Sequence, residues 1–397
     1  MRLPGPSEAF CLFDDARAPT VDRSPAHARL YRDPVGIVAA FDMAQVQPAL
    51  DRLAEARDAG LHVAGFLSYE AGLALEDRLA PIARRRDAGG APLLWFGLFE
   101  GVRLIAPDTL PALLPDPARA TVGAPRPLIG QAEHEAAFAQ VQDYIRAGDI
   151  YQVNLTFPCE VPLSGDPLAL YAAIRPRAAA GYGGVIRTGG HNLLSFSPEL
   201  FFTQVRGLLT ARPMKGTATR GGGAEADAEA DAAAAGALAQ DPKQRAENLM
   251  IVDLLRNDLS RVSMAGSVIV PELFHVETYP TVHQMVSTVR ARILPGLSPV
   301  DVLRVLFPCG SITGAPKVRA MEIVDAVEPF ARGPYTGAMG WIDPEGDAAF
   351  NVAIRTICVE EGAGTGRLGL GSGIVADSDG AAEWAECLAK ARFLSAM

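Results

Sequence analysis

The chain has 397 residues, 49% of them hydrophobic and 21% charged, which is enough for two domains with a sizeable core. A formal net charge of −10 argues against nucleic acid as a partner. We find no signal peptide at the start, no apolar run near the about 18 residues of a membrane span, and five cysteines without metal-ligand spacing, which together predict a soluble, cytoplasmic protein with reduced thiols.

Residues 1–125 are predicted to form an N-terminal subdomain, followed by a catalytic domain over residues 126–397. The first part contains short apolar runs at 35–41, 62–70 and 93–99 and a helical stretch from Ala44 to Ala59. A proline-rich segment from Pro107 to Pro127 reads as a linker between the two parts.

The second part contains more predicted strands than predicted helices. A helix over 131–147 has Phe138, Val141 and Ile145 at helical spacing, and Gly148 is placed to end it. Strands are predicted at 150–157, 183–188, 192–197, 200–205, 207–211, 267–279, 283–294, 336–343, 348–360 and 367–377. Further helices are predicted at 223–239, 243–255, 299–306, 316–327 and 381–396. Because strands often follow one another directly, the fold class is α+β with large antiparallel sheets.

Two of these helices carry oxygen-bearing side chains at a spacing of three. Glu383 and Glu386 share one face of the last helix, and Gln244 and Glu247 share a face of an earlier one. Carboxylate oxygens completed by water are what a hard cation such as Mg²⁺ requires. The alternative is that both are ordinary solvated helix faces.

Two titratable side chains have sequence surroundings that can shift their pKa. Glu199 lies between the apolar stretches "LLSFS" and "LFF", where desolvation raises the pKa of a carboxyl group and makes it a proton donor; alternatively it is an exposed turn residue after Pro198. Lys215, in "RPMKGTATR", is either a solvated cation on a turn or an amine placed for chemistry.

A third group of residues can bind anions. Arg355 stands between apolar strand residues in "NVAIRTICV", so it must bind a carboxylate or form an internal ion pair. Gly371, Ser372 and Gly373 lie in a Gly-Ser-rich turn whose backbone amides can also face an anion.

Together these stretches resemble the chorismate-utilising enzymes, from about Gln131 to Phe393. The family includes anthranilate synthase component I, the isochorismate and salicylate synthases, and aminodeoxychorismate synthase component I. The resemblance rests on the ordered motifs "GDIYQVNL", "SFSPELFF", "PMKGT", "AENLMIVDLLRNDL", "GSITGAPK", "RGPYTGAMGW", "AIRT" and "GSGIVADSDGAAEWAE". It implies a fold in which helices sandwich two large sheets.

Two positions separate the activities within this family. The resemblance implies that anthranilate synthases have a small residue where Lys215 stands. The isochorismate and salicylate synthases place their catalytic lysine at the position of Gln152. Both positions therefore favour the aminodeoxychorismate synthase component I branch, which makes 4-amino-4-deoxychorismate on the way to 4-aminobenzoate and folate.

The resemblance also implies roles for individual residues. Lys215 would attack the chorismate ring at C2 and Glu199 would protonate the departing hydroxyl group. Glu247 and Glu386 would hold Mg²⁺, with Gln244 and Glu383 acting through water. The substrate would be bound by Gly216, Thr217, Gln284, Thr313, Tyr335, Arg355, Gly371, Ser372 and Gly373.

Several features depart from the family or limit the reaction. The family often has an acidic residue at Gln244 and a histidine at Gln284. No cysteine stands in a glutaminase motif, so the amine is expected from a separate glutamine amidotransferase subunit or from free ammonia. Since the chain ends shortly after its last helix, with no room for a fused lyase domain, release of pyruvate is expected from another enzyme. The alternatives are anthranilate synthase component I and a catalytically silent, chorismate-binding regulatory subunit; an effector site in the first 125 residues stays open.

Overall fold

The computed structural model describes residues 3–5, 7–19, 25–83, 90–220, 228–279 and 282–394. The strands of this part are β1 Phe10–Asp14, β2 Ala28–Arg32, β3 Gly36–Ala40, β4 His62–Leu67, β5 Leu94–Phe99, β6 Arg103–Ile105, β7 Thr121–Val122, β8 Arg126–Pro127, β9 Gln152–Ser164, β10 Tyr182–Arg187, β11 His191–Ser197, β12 Leu200–Val205, β13 Leu208–Arg212, β14 Met214–Thr219, β15 Ile269–Thr278, β16 Val282–Arg292, β17 Gly314–Ala315, β18 Ala338–Ile342, β19 Ala348–Val352, β20 Thr356–Glu360 and β21 Thr365–Ile374.

The helices flank these strands. They are α1 Met43–Asp58, α2 Ala80–Ala83, α3 Leu110–Leu113, α4 Gln131–Arg146, α5 Pro167–Ala178, α6 Ala228–Gln240, α7 Pro242–Ser260, α8 Pro299–Leu306, α9 Gly310–Thr313, α10 Lys317–Val327 and α11 Gly380–Ala389. Short 3₁₀ helices cover Tyr69–Ala74, Asp77–Leu79, Pro117–Arg119 and Arg392–Leu394. No helix in the described ranges combines the length and apolar character that crossing a membrane requires.

Two large antiparallel sheets organise the molecule, which confirms the predicted α+β class. The first has the order β17-β9-β21-β20-β11-β10-β1-β2-β6, with β7 and β8 also paired to β9. The second has the order β14-β16-β13-β12-β19-β18-β4-β5-β3, with β15 on the other edge of β16. A buried cluster that includes Cys11 and Tyr31 from the first sheet and Phe66 and Trp95 from the second joins their inner faces.

Helices cover the outer faces of both sheets. One core packs α1, α7, α8 and α10 against the second sheet, with residues such as Leu50, Ile251 and Leu303 fully buried. A second core packs α5 and α11 against the first sheet through residues such as Tyr171 and Cys387. All five cysteines are free thiols, as the sequence predicted.

Strands from the first 125 residues extend both sheets. β1, β2 and β6 continue the first sheet, where Phe10 pairs with Arg187, and β3, β4 and β5 continue the second, where Leu67 pairs with Ala338. Hydrogen bonding is therefore continuous between the two parts that the sequence analysis separated near residue 125.

Two local predictions were wrong. The segment 348–360 is two strands in different sheets, because the backbone at Arg355 takes a φ of 49° and the chain crosses over there. Gly371 and Gly373 lie inside β21 and not in a turn, because β9 pairs with that strand as far as Ile374. Lys215, for which a solvated turn was one of two alternatives, lies in a strand, β14, which pairs with β16.

Two helix predictions extend beyond the described residues. The helix predicted at 223–239 begins, in the described part, at Ala228, and residues 221–227 lie outside it. The helix predicted at 381–396 ends at Ala389 and is followed by a 3₁₀ turn, while residues 395–397 lie outside the described chain. The remaining predicted elements of the second part lie within a few residues of the observed ones.

Candidate active site

The strand that carries Lys215 is irregular at this residue. The register between β14 and β16 shifts between Met214 and Thr217, and Gly216 takes a φ of 95° that favours glycine. Gln284 on β16 holds this bulge, since its Nε2 donates to Gly216 O at 2.8 Å and its Oε1 accepts from Thr217 Oγ1 at 2.9 Å. These contacts make Gln284 and Thr217 supports of the lysine strand.

The amine of Lys215 faces the inner side of β21. A side chain at Gly373 would collide with Lys215 Nζ and would stand 3.0 Å from Gln152 Nε2. Burial lowers the pKa of Lys215, the charge of Lys390 lowers it further, and Glu247, Glu386 and Glu199 oppose both effects. The site therefore favours the uncharged, nucleophilic amine more than water does.

Glu199 lies between β11 and β12 and is only 5% exposed, which excludes the alternative of an exposed turn residue. Its Oε1 has no hydrogen-bond partner among the described residues. Burial raises the pKa of Glu199 to about 7, although a hydrogen bond from Ser311 and the charges of Lys215 and Lys390 lower it. A carboxyl group with this pKa can hold and donate a proton near neutral pH.

The two helices with oxygen-bearing side chains converge on the same lysine. Each begins at an aspartate whose side chain accepts backbone N–H groups, Asp241 for α7 and Asp379 for α11. Burial raises the pKa of Glu247. The positive charges of Lys215 and Lys243 lower this pKa, and the carboxylates of Asp377 and Glu383 raise it. A cation bound beside Glu247 would relieve this unfavourable grouping of negative charge.

The other three members of the predicted metal set have contacts of their own. Glu386 forms an ion pair with Lys390 at 2.7 Å, and this charge lowers the pKa of Glu386 although partial burial opposes the shift. Glu383 accepts a hydrogen bond from Ser378 Oγ at 2.7 Å. Gln244 lies beside Gly216, with its Oε1 3.1 Å from where a Cβ would be.

The donor chemistry fits a hard divalent cation, but the side chains do not enclose one. In the described residues, no three His, Cys, Asp or Glu side chains are grouped closely enough to hold a metal ion. Glu247 and Glu386 thus offer two carboxylates from two helices and leave the other positions to water and substrate. Magnesium remains a prediction.

Arg355 lies at the crossover between β19 and β20. Within the described ranges its guanidinium has no ion-pair partner, so the alternative of an internal ion pair is not observed. Burial lowers the pKa of Arg355, opposed by the Tyr279 side chain. A partly buried, unpaired guanidinium is suited to binding a carboxylate.

The remaining predicted residues lie along β21 and its neighbours. Tyr335 packs so closely on Gly369 that no side chain fits there, and Ser372 Oγ is buried without a hydrogen-bond partner in the described part. Thr313 donates its hydroxyl to the carbonyls of Cys309 and Gly310, so it shapes the α9 turn. In the described chain, no hydrogen bond links Tyr335 or Arg355 to Lys215.

The sequence analysis did not single out Lys390. Its Nζ donates to Gly371 O at 2.9 Å and pairs with Glu386, so it joins α11 to the glycine-rich strand. Its position four residues after Glu386 on one helix was a signal that could have found it.

A cavity of about 330 Å³ lies next to this site but does not include it. Its walls include Thr156, Glu160, Tyr335, Arg367 and Gly369, while Lys215 and Glu199 are absent from them. Converging titratable groups, and not cavity size, thus identify the candidate site.

Comparisons with known proteins show which proteins this chain is similar to. Over 66% of its length the chain is 44% identical to "Aminodeoxychorismate synthase component 1" from Klebsiella aerogenes, covering 57% of that protein. Over 65% it is 40% identical to "Anthranilate synthase component 1" from Thermus thermophilus, covering 54% of it. The chain thus spans a little over half the length of these curated relatives.

A solved structure shows the same fold at lower identity. The 2,3-dihydroxybenzoate-specific isochorismate synthase DhbC from Bacillus anthracis, itself described as putative, superposes with a TM-score of 0.76 and 22% identity, covering 98% of this chain and 96% of that one. The family model described as "chorismate binding enzyme" matches residues 10–396, which includes most of the first 125 residues. The chain therefore belongs to the chorismate binding enzyme family.

Proposed function

We propose that this protein converts chorismate and ammonia to 4-amino-4-deoxychorismate through a covalent intermediate on Lys215. The observation that carries the proposal is the Lys215 amine, which lies against Gly373 with a lowered pKa and shares its site with Glu199, whose pKa is about 7. Burial thus favours the nucleophilic form of the Lys215 amine, and the Glu199 carboxyl group can hold a proton near neutral pH.

The residues of the chain account for each step of this reaction. Lys215 Nζ bonds to ring C2 while the C4–O bond breaks, and Glu199 gives its proton to the departing hydroxyl, which leaves as water. Ammonia then bonds to C4 while the C2–N bond to Lys215 breaks, and the extra proton of the new ammonium group returns to Glu199. The unpaired Arg355 and the nearby Tyr335 would bind the pyruvyl carboxylate, next to the backbone of Gly371–Gly373.

Magnesium, held by Glu247 and Glu386 with Gln244 and Glu383 acting through water, would anchor the ring carboxylate and polarise the diene. Burial, the main cause of the raised pKa of Glu247, supports this role together with the nearby carboxylates of Asp377 and Glu383, since a bound cation would stabilise the charged form of Glu247. Lys390 would keep Glu386 oriented through its ion pair and its bond to Gly371.

The ammonia would come from a separate glutamine amidotransferase subunit in the cytoplasm. The term "component 1" in the names of the relatives supports a second component. Release of pyruvate to give 4-aminobenzoate would fall to another enzyme.

One alternative has an observation in its favour, because a relative 40% identical to this chain is named anthranilate synthase component 1. That reaction gives a 2-amino product and loses pyruvate on the same enzyme. The lysine at position 215 favours the 4-amino product, since the family resemblance places a small residue there in anthranilate synthases.

The test is to incubate the protein with chorismate, Mg²⁺ and ammonium and to identify the product by mass and chromatography. We expect 4-amino-4-deoxychorismate, its near absence with Lys215→Ala, and normal formation with Lys243→Ala, which removes a half-exposed lysine paired to Asp377. A fluorescent 2-amino product would establish the alternative, and no turnover at all would favour a silent regulatory subunit. Wild-type product formation by Lys215→Ala would refute the nucleophile.

A further inference from the structure

A buried ion pair lies outside the reacting groups. Arg332 precedes Tyr335 by three residues, and its side chain and that of Glu328 are each 1% exposed. Arg332 Nη2 lies 2.7 Å from Glu328 Oε1, and Nε lies 2.8 Å from Oε2, so the pair is bidentate. Removing two charges this completely from water is costly, and such pairs add little net stability.

The same guanidinium also binds two backbone carbonyls. Nη1 donates to Ile312 O at 3.0 Å and Nη2 donates to Asn154 O at 2.7 Å. Ile312 directly precedes Thr313 in α9, and Asn154 is the strand partner of Gly373. One side chain therefore links the segments that carry Thr313, Gly373 and Tyr335.

A second carboxylate fixes the backbone of Arg332 itself. Glu70, 3% exposed, accepts from Arg332 N at 2.7 Å and from Gly333 N at 3.0 Å. Tyr69 N donates to Gly333 O at 2.8 Å, so the 3₁₀ helix of the N-terminal part binds both the N–H and the C=O of Gly333.

Glu328 extends the network to the strand beside β21. Its Oε1 accepts from Thr156 N at 2.8 Å, and Thr156 is the partner of Gly371. Asn154 and Thr156 are the β9 residues that pair with Gly373 and Gly371. Both are therefore hydrogen-bonded to the Arg332–Glu328 ion pair.

We propose that Glu70, Arg332 and Glu328 form a positioning triad that holds three walls of the chorismate site in register: α9, the Gly371–Gly373 strand and the Tyr335 segment. This inference rests on the proposed function. It gives the first 125 residues a part in substrate binding, through Glu70, although they supply none of the reacting groups.

The test compares chorismate kinetics, with ammonium as the amine source, for the full chain and three variants. Arg332→Lys keeps a charge for Glu328 but loses the planar fork that reaches both carbonyls. Glu70→Gln keeps the size of the side chain but removes its charge and one acceptor. Arg175→Lys is the matched control, because it alters a buried ion pair with Asp14 in the first sheet, on β1 and α5.

We expect Arg332→Lys to lower kcat/KM for chorismate by about 10- to 100-fold, the effect of a displacement of about 1 Å, mostly through a higher KM. Glu70→Gln should shift KM in the same direction by a smaller factor, and the product should stay the same in both. Arg175→Lys should lower the melting temperature without changing KM.

The inference is overturned if Arg332→Lys and Glu70→Gln lower the melting temperature as Arg175→Lys does while KM for chorismate stays at the wild-type value. If Arg332→Lys does not fold, Glu70→Gln alone decides by the same criterion. Absence of chorismate turnover in the wild-type chain would instead reject the proposed function, so the two failures are distinguishable.

Discussion

Replacing Glu199 by glutamine should change how the stability of the protein depends on pH. The native carboxyl group has a pKa of about 7 against an ordinary value of 4.5, mainly because it is buried. Between these two values the native state binds more protons than the unfolded state, so the free energy of unfolding falls as pH rises. Glutamine does not titrate and removes this dependence.

The size of the effect follows from the shift. At about 1.4 kcal/mol per pKa unit, a shift of roughly 2.5 units is worth about 3 kcal/mol, of which about 2–3 kcal/mol is lost between about pH 5 and pH 8. Titrating groups far from Glu199 contribute equally to both proteins and cancel in the difference, whereas Lys215, whose pKa the Glu199 charge raises, adds a smaller change of its own. The wild type should therefore lose this much more stability than Glu199→Gln over the same interval.

The assay is urea unfolding of both proteins, without ligands, at about pH 5 and pH 8. The ammonium turnover of Glu199→Gln, measured in parallel, should fall by about 10²–10⁴-fold if the group is the proton donor. Stability curves that stay parallel between the two proteins at both pH values would show that Glu199 titrates normally and would refute the reasoning from burial.

Three further substitutions test other parts of the site. Gly373→Ala should lower turnover by at least about tenfold without unfolding the protein, because the added Cβ would collide with the Lys215 amine. Gly364→Ala is the control, since a Cβ at that position has no neighbour within 4 Å. Equal kcat values for the two variants would contradict the close approach of Lys215 to Gly373. Gln284→Ala should cost about 1–2 kcal/mol in urea unfolding and reduce kcat, since two hydrogen bonds to the lysine strand are lost; unchanged kcat would remove its supporting role. His134 is buried against aromatic rings, and burial lowers its pKa below 6.5, so the free energy of unfolding should fall as pH drops below that value. His134→Phe should make this fall smaller. The same pH dependence of stability in both proteins would contradict the lowered pKa of His134.

Local sequence rules predicted the two helices that carry the paired oxygen-bearing side chains, although they missed α5 and extended the last helix too far. Gln244 with Glu247 and Glu383 with Glu386 are each three residues apart on one helix, and helical geometry alone puts each pair on one face. The apolar neighbours of Glu199 likewise predicted its burial, because they are strand residues that pack into the core on both sides.

Other features depended on pairing between distant segments. The chain crosses over at Arg355 because β19 belongs to the second sheet and β20 to the first. The continuous apolar run over residues 348–360 gives no sign of this change of sheet. The enclosure of the Lys215 amine needs β14 and β21, which belong to different sheets, to face each other. The link from Glu70 to Arg332 similarly joins residues far apart in the chain.

The amino-acid sequence by itself thus determined the fold class and the family resemblance, and it supplied the residues that we propose as reacting groups. Only the tertiary structure decided the direction in which their pKa values shift, since the shifts of Lys215 and Glu199 come from burial between segments that are distant in sequence. The spacing of apolar residues shows on which face of a helix or strand a side chain lies. How far that side chain is removed from water depends on which distant segments of the chain pack against it.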